Sequence, residues 1–155
     1  MGVAGHSIGG NGAAAAMAVD RGFRAGVNLD GTFFHPVPAG GLGGRPFLLL
    51  GTRSGHRPGV DATWDRAWAR LDGWKQWLTV AGATHTQFTD LPVLRAGRRG
   101  GAAGAEGALS ARRGVEITRD HVRAFFDLHL KGVTRPLVRP DAPTDPEVTR
   151  ERAEG

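Results

Sequence analysis

Gly5-His6-Ser7-Ile8-Gly9 carries a serine between two glycines in the G-x-S-x-G pattern of a nucleophile elbow, a strand-to-helix turn so sharp that flanking side chains would collide. The neighbourhood fits such a turn. Gly2-Val3-Ala4 is a short apolar run before it, and Gly9-Gly10 followed by residues 13–17 reads as a small-residue helix packed closely on a sheet. Ser7 is therefore the candidate nucleophile. Downstream, Phe23-Arg24-Ala25-Gly26-Val27-Asn28-Leu29 reads as a strand ending in Asp30, and Trp77-Leu78-Thr79-Val80 as another ending in the loop Ala81-Gly82-Ala83-Thr84-His85. Ser, Asp, His is the chain order of an α/β hydrolase, and both partners stand beyond the carboxyl end of a strand, where open α/β sheets carry their chemistry.

The three residue types suit acyl transfer. A serine hydroxyl is a weak nucleophile at neutral pH and needs an imidazole, here His85, to accept its proton. That imidazole needs a carboxylate on its other nitrogen, here Asp30, to select the tautomer and stabilise the imidazolium. The elbow supplies one oxyanion donor, the backbone N–H of Ile8.

Taken together, Gly5-His6-Ser7-Ile8-Gly9-Gly10, Asn28-Leu29-Asp30-Gly31 and Gly82-Ala83-Thr84-His85-Thr86-Gln87-Phe88-Thr89-Asp90 resemble the C-terminal half of the platelet-activating-factor acetylhydrolase-like branch of the α/β hydrolases. The specific motifs span residues 1–94, and the last helix resembles the branch more loosely. The resemblance implies an acid directly after the strand that follows the nucleophile helix, hence Asp30. A later strand, Pro46-Phe47-Leu48-Leu49-Leu50-Gly51, runs into Thr52-Arg53-Ser54-Gly55-His56 with no carboxylate at its end, and Asp61 is the alternative acid. The fold expected is an N-terminally truncated α/β-hydrolase half-sheet of about four mostly parallel strands with flanking helices. Its upstream strands and the loop holding the second oxyanion donor would lie outside the chain. An open first strand would favour self-association.

The implied activity is cleavage of carboxylic esters, short-chain or lipid-like, through an acyl-enzyme. A cutinase- or polyesterase-like hydrolase with the same triad, and a non-catalytic remnant, are the alternatives. Phe33, Phe34 and His35 follow the acid strand and are candidates for lining the substrate pocket. No cofactor is implied. His121 and His129 stand eight apart and lack the i, i+4 pattern of a zinc helix, so no metal site is expected. The absence of cysteine excludes disulfides and thiolate ligands within the chain.

Domain organisation follows the same lines. Residues 1–134 read as one partial α/β-hydrolase domain, with residues 95–114 a flexible Gly/Ala/Arg-rich insertion. Trp64, Ala67, Trp68 and Leu71 recur at helical spacing over residues 61–71, with Gly73 as the stop. A final helix runs from a Thr118 cap to about Lys131, ended by Gly132. The charged, proline-rich tail over residues 135–155 is expected to be extended or disordered. A net charge of +5 and an isoelectric point near 11.1 raise nucleic acid as a partner. Arg98-Arg99 and Arg112-Arg113 lack interleaved aromatics, however, and the excess reads as a solvated insertion. No run approaches the roughly 20 apolar residues of a membrane span. Composition leaves the compartment open between cytoplasmic and secreted.

Overall fold

The computed structural model describes residues 1–98, 107–139 and 141–154. Its frame is a five-stranded sheet in the order β1-β2-β3-β4-β5, built from β1 (Gly2–His6), β2 (Ala25–Leu29), β3 (Phe47–Thr52), β4 (Lys75–Val80) and β5 (Val148–Glu154). The first four strands run parallel and β5 pairs antiparallel with β4. The helices are α1 (Ile8–Val19), α2 (Arg53–His56), α3 (Ala62–Arg70), α4 (Leu91–Arg98) and α5 (Ala111–Lys131).

Alternation along the strands divides the core. Phe47, Leu49 and Trp77 point to one face, where Met17 of α1 and Trp64, Ala67 and Trp68 of α3 meet them. Leu48, Leu50 and Leu78 point to the other, against Ile117, Ala124 and Phe125 of α5. Because successive side chains leave a strand on opposite faces, continuous apolar runs such as Phe47-Leu48-Leu49-Leu50 are what a sheet covered on both sides requires.

Within the α/β fold expected, the structure differs from the sequence reading in detail. The sheet has five strands rather than about four, because the charged tail supplies β5: Val148 is buried, and Thr79 donates its hydroxyl to Glu151 across β4 and β5 at 2.5 Å. Acids of the tail are anchored by an arginine outside it. Arg113 of α5 makes hydrogen bonds to Asp145 (2.5 Å) and to both oxygens of Glu147 (3.0 Å each). The segment 95–114 is not one loop. α4 runs into it as far as Arg98, Leu109 is buried, and α5 begins at Ala111; the rest of that segment lies outside the described residues. The cap of α5 is Ser110, whose Oγ accepts from Arg113 N at 3.2 Å, whereas Thr118 sits inside the helix and donates back to the Gly114 carbonyl. Gly114 belongs to this helix by close approach, since a Cβ there would stand 2.8 Å from the Gln87 side chain.

α3 also ends at Arg70, three residues before Gly73, with Leu71 as its extended C-cap. Its last carbonyls are taken by a lysine: Lys75 Nζ, buried at the start of β4, donates to Trp68 O and Leu71 O at 3.0 and 2.9 Å. A cation at a helix C-terminus replaces the glycine stop.

Candidate active site

The elbow begins where β1 ends. Ser7 has φ 58° and ψ −129°, a strained conformation for a residue with a side chain, and α1 starts at the next residue. Hydrogen bonds over-determine it: Ser7 N donates to Leu29 O, continuing the ladder past β1, and Gly10 N donates to Ser7 O, both at 2.9 Å. Small residues make room for it. A Cβ on Gly5 would overlap the Gly9 carbonyl, and one on Gly31 would overlap the carbonyl of Ser7 itself. Ile8 opens α1, so its N–H belongs to the first turn, where no intrahelical acceptor exists.

Asp30 caps the carboxyl end of β2 in a left-handed conformation, φ 53°, which Asp adopts more readily than most residues. Its turn is braced by the buried amide of Asn28, which donates to Gly31 O at 2.7 Å and accepts from Gly31 N at 2.8 Å, and by Trp64 Nε1 donating to Gly31 O at 2.8 Å. The carboxylate is only 3% exposed and is fully engaged. Oδ2 accepts from His85 Nδ1 at 2.7 Å; Oδ1 accepts from Thr52 N at 2.6 Å and from His56 Nδ1 at 2.7 Å. An ionised carboxylate only accepts, so both ring nitrogens are assigned as donors. Burial alone would push the Asp30 carboxyl up, but the hydrogen bonds from His56, Thr52 and His85 outweigh it and hold the group down at about 2.

His85 opens a short 3-10 turn, His85–Phe88, after β4. Gln87 folds back to fix that turn: its Oε1 accepts from Thr84 N and Oγ1, each at 2.8 Å, and its Nε2 donates to Leu109 O. His6, the residue before the elbow serine, donates Nε2–H to His85 O at 2.7 Å, with the two rings 4.5 Å apart. His85 is 51% exposed at its side chain, so it faces solvent while Asp30 behind it does not. Ser7 Oγ makes no hydrogen bond within 3.5 Å among the described residues. Nucleophile–base contacts are commonly long before substrate binds.

The other sequence candidates fall elsewhere. Asp61 does not reach His85; it caps α3, accepting from Thr63 N at 2.8 Å, and its Oδ2 is 3.4 Å from His56 Nε2. Phe33, a candidate for lining the pocket, is 4% exposed and packs between Phe47 and Trp64 in the core. Phe34 is 68% exposed. His35 is tied to α1 through its N–H to Asn11 Oδ1 at 2.9 Å. His56, which closes the stretch after β3 and was not among the sequence candidates, is buried and bonded to Asp30. Its position just past the carboxyl end of β3 was the signal that could have found it.

A family model described as "Platelet-activating factor acetylhydrolase, isoform II" matches residues 1–141. The chain belongs to this family. Among its acetylhydrolase-like relatives, a protein of Arthroderma benhamiae named "Probable 1-alkyl-2-acetylglycerophosphocholine esterase" is 30% identical over 164 residues, covering 96% of this chain and 42% of that protein. The solved structure of a ferulic acid esterase from Streptomyces cinnamoneus is 46% identical and superposes with a TM-score of 0.80, over 97% of this chain and 46% of that one. The chain thus spans under half the length of these acetylhydrolase and esterase relatives. Among the described residues no helix is long and apolar enough to cross a membrane.

Proposed function

We propose that this chain carries the triad of a serine carboxylic ester hydrolase, with Ser7 as nucleophile, His85 as general base and acid, and Asp30 as the carboxylate that orients His85. The observation that carries the reading is the 2.7 Å bond from His85 Nδ1 to the buried Asp30 Oδ2 beside a strained serine at the head of α1. In the reaction, Ser7 Oγ bonds to the ester carbonyl carbon as its proton passes to His85 Nε2. The carbonyl oxygen becomes an oxyanion, and the Ile8 N–H is the chain's donor to it. Collapse breaks the bond to the alcohol, which leaves with the proton from His85. Water then attacks the acyl-serine, giving its proton to His85 and later restoring the Ser7 hydroxyl as the acid departs. Asp30 stays ionised throughout, compensating the imidazolium.

The substrate class is a small or lipid-like carboxylic ester, supported by the esterase names of both relatives. Higher identity to the ferulic acid esterase than to the acetylglycerophosphocholine esterase favours a second reading, an ester of a larger aromatic acid. The chain is incubated with p-nitrophenyl acetate and with p-nitrophenyl ferulate, which share a leaving group, quenched, and digested for mass spectrometry. The expected result is an acyl group on the peptide containing Ser7, lost in Ser7→Ala; whichever ester turns over faster decides the class. Ester hydrolysis undiminished in Ser7→Ala would refute the triad.

A further inference from the structure

We propose that His56 is a positioning residue for the candidate triad: by donating Nδ1–H to Asp30 Oδ1, it fixes the carboxylate so that Oδ2 faces His85. The inference rests on the reading of Ser7, Asp30 and His85 as the triad. A carboxylate offers two nearly equivalent oxygens on a soft torsion, so a single imidazole does not by itself hold one of them in place. Here the far oxygen is claimed twice, by Thr52 N at 2.6 Å and by His56 at 2.7 Å, which leaves Oδ2 for His85.

His56 is itself built in. Its carbonyl accepts from Trp77 Nε1 at 2.7 Å, and its ring lies 4.3 Å from that of Trp64. Its Nε2 stands 3.4 Å from Asp61 Oδ2. Asp61 is held in turn by Thr63 N, Thr63 Oγ1 and Thr32 Oγ1 at 2.8, 2.6 and 3.2 Å. The acid that sequence alone offered as an alternative thus stands one imidazole behind the acid that meets His85. A histidine serving only to fill space would need the ring contact with Trp64 but no nitrogen on a buried carboxylate.

That difference defines the test. His56→Phe keeps a ring against Trp64 and removes the donor; His56→Asn loses the ring and places an amide N–H where Nδ1 stood. On the faster ester, His56→Phe is expected to lower kcat about 10- to 100-fold, the range for groups that orient a functional side chain from behind. KM should hold within about twofold, because binding groups are untouched. His56→Asn should recover most of the loss. Wild-type kcat in His56→Phe, or a better kcat in His56→Phe than in His56→Asn, would overturn the proposal in favour of packing. A second readout does not depend on turnover: the Asp30 carboxyl, followed by 13C NMR, should titrate higher in His56→Phe than in wild type and stay low in His56→Asn. An Asp30 titration unchanged in His56→Phe would overturn the proposal whether or not the chain hydrolyses esters. Absence of Ser7 acylation in wild type would instead count against the proposed function alone.

Discussion

Asp30 is where the site's chemistry and its stability meet. Its folded value of about 2 lies below the ordinary 3.8, so the folded state holds the ionised form more strongly than the unfolded chain does. The contribution, about 2 kcal/mol, is fully present above pH ~4 and is lost as pH falls through ~2. Urea unfolding of Asp30→Asn should therefore show a shallower loss of stability below pH ~4 than wild type; parallel curves would mean that the carboxylate is not held by its three donors. In turnover, Asp30→Asn should cost on the order of 10⁴, as a wrong-tautomer substitution does. Asp61→Asn keeps a good N-cap for α3 and touches His85 only through His56, so its loss should stay within about tenfold. The reverse order would move the acid. The placement of Ser7, Asp30 and His85 at strand carboxyl ends was legible in sequence because each sits in a short motif there. His56 was missed although it too stands just past a strand's carboxyl end, because no short motif marks it; the parallel pairing of β2 and β3 brings it to Asp30.

At the scale of elements, the legible parts were those with a period. The runs of β2 and β3 and the 3–4 spacing of α3 carry their own signal, whereas α5 begins in a stretch whose composition suggests a loop. Its start depends on Ser110 Oγ meeting Arg113 N and on Arg113 reaching tail acids more than 30 residues on, a tertiary cause that no local window contains. Ser110→Ala should cost about 1 kcal/mol, the usual value of an N-cap, as a lowered urea midpoint with unchanged m. β5 was hidden for the same reason: its charges imply disorder until Glu151, Val148 and the Arg113 pair are seen in contact. Deleting residues 148–155 exposes the β4 edge and should lower Tm and promote aggregation; a variant as stable and monodisperse as the parent would show that β5 adds nothing to the sheet.

For the whole molecule, one sheet covered on both faces holds Ser7, Asp30, His56 and His85 at one end, the carboxyl ends of β1 to β4, while α5 closes the opposite face from Trp64 and Trp77. That face carries its own acid sensitivity. Burial beside Trp74 and Phe125 holds His129 at about 4, below its ordinary 6.5, so the unfolded chain binds the proton first and stability is lost as pH falls from ~6.5 towards ~4. Thermal melts from pH 7 to 4 should show that slope reduced in His129→Gln, and an identical slope would assign the acid loss elsewhere. The central claim, however, is that Asp30 and His85 activate Ser7. The most direct measurement is the rate of covalent labelling by a fluorophosphonate, which reacts readily only with an activated serine. Labelling should map to Ser7, vanish in Ser7→Ala, and slow sharply in both His85→Ala and Asp30→Asn. Labelling of Ser7 that proceeds at the wild-type rate in Asp30→Asn, or that persists elsewhere in Ser7→Ala, would contradict it.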